Sequence, residues 1–254
     1  MRVAIGTPMY DGSCKAGYMT SLFNLMGLLT SKGHQAMLLS VIGESLISRA
    51  RNDVARNFLD ADADVLLFID NDITFNAEDV YEMLMLDYDV VGAVVPLRKM
   101  NWASMVEGIF TYDGKEHPNK FGKFFNINLA DEDKADALQN VIDKKPFEVL
   151  RIGTAILSIK RNVLEQMKDL VPVYYSNNQG EERRKSWDFF PVYVQDETLI
   201  SEDFSFCNRW REMGNKVMAV GHYDITHSGT FDYIGNLRNE LLKNRLMVEK
   251  FSNE

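Results

Sequence analysis

Val65-Leu66-Leu67-Phe68-Ile69 runs directly into Asp70-Asn71-Asp72, and this junction decides the fold. An unbroken apolar run of this length marks a strand buried on both faces. Such strands belong to parallel sheets covered by helices on both sides. Upstream, Arg2–Gly6 is a short apolar strand ending in Gly6-Thr7-Pro8. Tyr18, Leu22, Leu25, Met26 and Leu29 recur at helical spacing up to Gly33. Ala36–Val41 reads as a second buried strand, and Leu46, Ala50, Val54 and Phe58 mark a second helix. Downstream, Asn76 begins a helix with Asp79 in a capping-box-like position, and Val90–Val95 reads as a fourth strand. The β-α-β-α-β-α-β order predicts an α/β protein, Rossmann-like, with a central mostly parallel sheet and helices on both faces. Ligands of such sheets bind beyond the carboxyl ends of the strands. The loops after Gly6, Ile69 and Val95 are therefore the candidate site.

The second half is less regular. It predicts a short helix around Ala135–Ile142, strands at Val149–Ile152 and Thr154–Ile159, and a helix at Arg161–Leu170. Tyr174–Pro191 reads as a mobile loop. Ser201 and Gly214 bracket a helix at Glu202–Met213. A strand at Lys216–Val220 and an amphipathic helix at Leu237–Phe251 follow. No linker divides the 254 residues, so a single domain is expected.

With 46% apolar and 26% charged residues the composition is globular, which excludes disordered, collagenous and fibrous chains. Two cysteines, Cys14 and Cys207, exclude a disulfide framework and argue against a Cys-based zinc site. A reducing, cytoplasmic setting is expected. The net charge of −9 repels phosphate backbones and disfavours a dedicated nucleic-acid binder. No apolar run reaches the roughly 18 residues needed to span a bilayer, and the opening strand is too short for a signal peptide.

Chemistry concentrates in a few places. Asp70 and Asp72 bring two negative charges to the rim of the sheet, and a bound Mn²⁺ or Mg²⁺ relieves their repulsion. The other reading is an Asp/Asn turn. Glu202 and Asp203 lie in the first turn of a helix, either as capping acidity or as a general base. His222 and His227 follow the last strand as ligands, acids or packed loop residues. An imidazole ligand would favour Mn²⁺ over Mg²⁺. Arg183, Arg184 and Lys185 with Trp187, Phe189 and Phe190 form either a solvated loop with docked aromatics or an acceptor platform, which Arg98, Lys99 and Trp102 would extend.

Taken in order, these segments resemble the GT-A class of nucleotide-sugar-dependent glycosyltransferases, small viral and bacterial members above all. The resemblance rests on Gly6-Thr7-Pro8, Ser48-Arg49-Ala50-Arg51-Asn52, Asp70-Asn71-Asp72 and Val91–Lys99. It continues through Arg151-Ile152-Gly153-Thr154-Ala155, Glu202–Cys207 and His227-Ser228-Gly229. It implies that Asp70-Asn71-Asp72 is the family's Asp-x-Asp motif, with Asp72 on the metal and Asp70 toward the ribose or a metal-bound water. His227 would complete the metal shell. Asp203 would be the base of an inverting hexosyl- or pentosyltransferase. Thr7, Pro8 and Tyr10 would flank the nucleoside, with Arg51 and Asn52 facing the diphosphate. Residues 1–100 would then form the nucleotide-sugar half, 101–235 the acceptor and catalytic half, and 236–254 a terminal helix. The donor is a nucleoside-diphosphate sugar, and the acceptor a glycan or a hydroxymethylated DNA base. A viral source would set the protein in host cytoplasm, and the exposed aromatics permit a homodimer. Val95-Pro96-Leu97-Arg98-Lys99 lacks the Tyr that family members often carry before this proline, and Ala155 replaces a frequent Gly.

Two rivals remain from sequence. A sugar-nucleotide nucleotidyltransferase also holds Mg²⁺ on such a sheet, but it needs a basic, Gly-rich loop after the first strand, and Gly6–Gly12 is poor in charge. A non-catalytic nucleotide-sugar or glycan-binding protein would not depend on Asp203.

Overall fold

A computed structural model describes residues 1–102, 123–130, 132, 134–176 and 183–242. The first half comprises β1 (Arg2–Met9), α1 (Ala16–Ser31), β2 (Gln35–Ile42), α2 (Ile47–Asp60), β3 (Val65–Ile69), β4 (Ile73–Thr74), α3 (Ala77–Leu84), β5 (Val90–Ala93) and β6 (Pro96–Met100). Then come β7 (Lys123–Phe125), β8 (Ile127–Asn128), α4 (Lys134–Ile142), β9 (Phe147–Val149), β10 (Arg151–Ile152), β11 (Ile156–Lys160), α5 (Arg161–Met167), β12 (Val173–Ser176) and β13 (Arg184–Trp187). The chain continues with β14 (Tyr193–Gln195), β15 (Thr198–Ile200), α6 (Glu202–Glu212), β16 (Val217–Val220), β17 (Ile225–Ser228) and β18 (Asp232–Gly235). A helical segment at 237–242 follows, and the rest of the expected terminal helix lies outside the described residues. Among the described residues no helix is long and apolar enough to cross a membrane.

The central sheet has seven strands in the order β2-β1-β3-β11-β5-β16-β9. β2, β1 and β3 run parallel, as do β5 and β16. β11 is inserted antiparallel between β3 and β5, and β9 lies antiparallel at the far edge. The expected α/β architecture is thus present. β3 and β5 are not neighbours, because a strand from the second half separates them. β11 can sit there because Ile156, Leu157 and Ile159 are fully buried and fill both faces of the sheet. The insertion carries the turn before β11 to the carboxyl edge of β3, where Ile156 pairs with Ile69.

Side-chain alternation along β3 assigns the two cores. Val65, Leu67 and Ile69 pack with α1 and α3, whereas Leu66 and Phe68 pack with α2, α5 and α6. On the second face Gly6 lets α2 approach closely. A Cβ at this position would lie 2.4 Å from Val54 Cγ1 and 3.0 Å from Leu66 Cδ1. Gly6→Ala is therefore expected to cost about 1–3 kcal/mol by overpacking. Urea denaturation should show Val54→Ala restoring much of the loss in the double variant; no recovery would mean that the contact does not carry the strain.

Several local expectations are corrected. β2 is an edge strand whose residues are mostly half-exposed or exposed, because β1 is its one partner in the sheet. Asn76 does cap α3, but its side chain accepts from Glu78 N at 2.8 Å and makes no box with Asp79. Ser201 makes no side-chain cap bond; its hydroxyl goes to Asp203 instead. The expected loop at 174–191 contains an antiparallel hairpin of β12 and β13, with residues 177–182 outside the described set. This hairpin is tied to α2 by a buried network. Arg56 Nη1 donates to Asp53 Oδ1 at 2.6 Å, Ser186 Oγ at 2.8 Å and Ser176 Oγ at 2.9 Å.

Candidate active site

The Asp70-Asn71-Asp72 turn leaves β3 at the carboxyl edge of the sheet. Its shape is held from three sides. Asp70 N donates to Ala155 O at 3.1 Å, in the turn before β11. Asn71 O accepts from Lys15 N at 2.9 Å, and Asn71 Nδ2 donates to Ser13 O at 2.7 Å, which docks the loop before α1. Ser228 N donates to Asp72 O at 2.9 Å as β17 pairs with β4. That pairing sets His227 opposite Ile73 and so brings a residue from the end of the chain beside Asp72.

The two carboxylates have different partners. Asp72 Oδ2 lies 3.2 Å from Arg98 Nη1 and 3.4 Å from His227 Nε2. Burial alone would push the Asp72 carboxyl up. The His227 contact, with the charges of His227 and Arg98, outweighs burial and holds it below the ordinary carboxylate range. His227 Nδ1 lies 2.8 Å from Pro96 O. A carbonyl can only accept, so Nδ1 carries the hydrogen, and in the neutral ring Nε2 presents its lone pair toward Asp72. Two acceptors facing each other at this distance need a proton or a cation between them. Asp70 is instead held by Arg51, whose Nη2 lies 3.1 Å from Oδ1 and 3.3 Å from Oδ2. Among the described residues no group of three His, Cys, Asp or Glu side chains converges as a complete metal cage.

Arg51 projects from α2 and is 4% exposed. Besides Asp70 it engages Glu202, with Nε 3.2 Å from Oε1. Burial opposes its charge, but the two carboxylates overcome this and keep the guanidinium more firmly protonated than usual. The salt bridge to Glu202 joins the Asp70 turn to the start of α6, where Asp203 lies. Asp203 is 8% exposed. Its Oδ1 accepts from Phe204 N at 2.8 Å and from the Ser201 hydroxyl, and its Oδ2 accepts from Asn126 Nδ2 at 3.1 Å.

These groups line one cleft with two lobes. The outer lobe is bordered by Pro8, Tyr10, Glu44, Asn71, Asp72 and Arg98. The smaller inner lobe is bordered by Val95, Leu97, Ile152, Thr154, Asn126 and Asp203. Arg51, Asp70 and His227 border both.

Other sequence candidates are directed elsewhere. Thr7 is fully buried, and its hydroxyl is bonded to Tyr18 at 2.6 Å. Asn52 is buried and fully employed, donating to Asp188 Oδ1 at 2.9 Å and accepting from Phe190 N at 3.0 Å. Lys99 Nζ lies 5.2 Å over the Phe124 ring, and Trp102 is exposed. The basic-aromatic patch is not one surface. Phe189 and Phe190 are in the core, Arg184 pairs with Asp60, and Trp187 packs under Lys168 and Lys185 away from both lobes. Asn126 was not foreseen. It lies in a polar stretch with no periodicity, and its one trace is Gly153, where a Cβ would meet Asn126 Nδ2 at 2.8 Å.

No family model matches the chain, and no curated protein sequence matches it. Solved structures with a similar trace include A197 from STIV, at 16% identity over 90% of this chain and 86% of that chain, with a TM-score of 0.48. Another is S. aureus TarS 1-349 in complex with UDP-GlcNAc, at 11% identity, with a TM-score of 0.42. That similarity covers 93% of this chain and 59% of the TarS fragment. A third is CMP:2-keto-3-deoxy-manno-octonic acid synthetase complexed with CTP, at 11% identity over 67% of this chain and 78% of that chain, with a TM-score of 0.33.

Proposed function

We propose that this chain is a metal-dependent, inverting glycosyltransferase of GT-A type that moves a sugar from a nucleoside-diphosphate sugar to an acceptor hydroxyl. The observation that carries the reading is one cleft at the carboxyl edge of the sheet, bordered by Asp72 and His227 at one end and Asp203 at the other. The nucleotide occupies the larger, more polar outer lobe, and the sugar occupies the inner lobe.

The donor set fits a divalent cation. A carboxylate oxygen and an imidazole nitrogen face each other, and the other ring nitrogen is bonded to a backbone carbonyl, the usual second partner of a metal-bound His. Asp72 and His227 would hold the ion, and Asp70, held by Arg51, would face it across water or the ribose. A Mn²⁺ or Mg²⁺ bound there supplies charge neutralisation for the departing diphosphate. Arg98 adds a second cation on the same side.

Asp203 takes the proton of the acceptor hydroxyl. Its three donors fix its direction. Sugar transfer proceeds through an oxocarbenium-like state. With one base opposite the leaving diphosphate, direct displacement inverts the anomeric carbon. Acceptors approach past β6, where Arg98 and Trp102 are exposed.

The test is titration calorimetry of UDP and GDP with and without Mn²⁺. The wild type should bind at least tenfold more tightly with the metal, and Asp72→Ala should lose that gain. Equal affinity with and without Mn²⁺ in the wild type would remove the metal assignment and leave Arg98 as the neutralising charge.

A further inference from the structure

We propose that Thr154 selects the donor sugar, through a hydrogen bond between its side-chain hydroxyl and one ring hydroxyl. This rests on the donor reading of the cleft and goes beyond it. Thr154 is 2% exposed and lines the inner lobe. Its Oγ1 is buried and has no hydrogen-bond partner among the described residues. A buried hydroxyl is ordinarily satisfied, and one that is not calls for a ligand or water.

The surroundings bear on what this hydroxyl can bind. Thr154 sits in the turn between β10 and β11, and both neighbours in the turn are tied down. Gly153 N donates to Asn126 O at 3.1 Å, and Ala155 O accepts from Asp70 N at 3.1 Å. The backbone that carries Thr154 is therefore fixed relative to Asp70 and Asn126. Arg51 Nη1 also borders the lobe without a partner among the described residues, but it can only donate; several other polar atoms there are engaged. Arg51 and Asp70 hold each other, Asn126 donates to Asp203, and His227 Nδ1 is bonded to Pro96 O. Val95, Leu97 and Ile152 supply apolar wall.

A neutral hydroxyl that can both donate and accept, set in an apolar wall beside a carboxylate, matches a polyhydroxylated ring. An anion would be drawn to Arg98 instead. A site built to bond one hydroxyl discriminates against the epimer that turns it away, because the buried group is then left unpaired.

The experiment compares wild type, Thr154→Val and Thr154→Ser by calorimetry with Mn²⁺ present. The probes are UDP, GDP, UDP-glucose, UDP-galactose, UDP-GlcNAc and GDP-mannose. For the sugar that the wild type prefers, Thr154→Val should weaken binding about five- to tenfold. Preference over the epimer should shrink by the same factor, with affinity for the bare diphosphate unchanged. Thr154→Ser should retain the preference. The unliganded Thr154→Val variant should melt no lower than wild type, because the Thr154 hydroxyl has no hydrogen-bond partner among the described residues. Undiminished sugar preference in Thr154→Val overturns the proposal, and so does an equal loss for the bare diphosphate. A wild type that binds diphosphates but gains nothing from any sugar overturns the sugar-lobe inference alone. A wild type that binds none of the probes overturns the donor reading with it.

Discussion

Asp203→Asn should lower turnover by about 10²-fold or more while leaving donor affinity nearly intact. The substitution keeps shape and removes the charge that accepts the acceptor's proton. The fold should tolerate it. Oδ1 still accepts from Phe204 N and Ser201, and the new amide can face Asn126 once the Asn126 amide turns over, so its oxygen accepts. The lost charge at the start of α6 costs only about 0.3–1 kcal/mol of helix-dipole interaction. Single-turnover measurements at saturating donor, with the melting temperature as a control on folding, separate the chemical step from binding. Unchanged turnover in a folded variant would remove Asp203 as the base and favour a binding protein.

The second large effect is on stability. Arg51→Met should destabilise the protein by about 3–5 kcal/mol, the usual loss when one partner of a buried ion pair is removed. The lower end is expected, because the Asp70 side chain is 27% exposed and water can take up part of its charge, whereas Glu202 is only 12% exposed. Met keeps an unbranched side chain of similar reach beside Phe68, whose ring centroid lies 5.5 Å from Arg51 Cζ. Adding Glu202→Gln should recover part of the loss in urea denaturation, since the α6 carboxylate that Arg51 neutralised is then gone. A single variant as stable as wild type would mean that the Arg51 pairs contribute nothing net. The physical point is that one guanidinium joins two acidic segments from opposite halves of the chain. Without it, Asp70 and Glu202 are two like charges with no counter-charge between them.

Much of the fold was legible because burial leaves a periodic record. The unbroken run Val65–Ile69 announced a doubly covered strand, and it lies in the middle of the sheet with helices on both faces. The same logic failed for Ala36–Val41, which lies in the edge strand β2. An apolar run reads alike at an edge and at the centre, and only the neighbour count, which is a property of the whole sheet, separates the two. It also could not foresee the insertion of β11. Strand order depends on which buried surfaces meet, and no local pattern encodes that.

The candidate site was legible where chemistry and strand ends coincide. Asp70, Asp72 and Asp203 were all located by following a buried strand or a helix start to its end, and all of them border the cleft. Thr7 and Asn52 were assigned to donor contacts by resemblance, yet each spends its hydrogen bonds inside the protein. Adjacency to a motif says nothing about which way a side chain turns. Asn126 escaped the sequence reading, because a single polar residue in an irregular stretch looks the same whether it faces solvent or a pocket, and Thr154 was seen only as part of a segment, with no role of its own.

The residues themselves determined an α/β chain, the strand ends that carry its acidic groups, and the order of its first four strands along the sequence. Tertiary structure alone decided that β11 would divide those strands and that β17 would bring His227 to Asp72. It also decided that Arg51 would bind Asp70 rather than stand free. The reason is range. Periodicity reports how a segment meets its own neighbours, whereas a site is assembled from segments far apart in the chain, and their meeting is settled by the packing of the two cores.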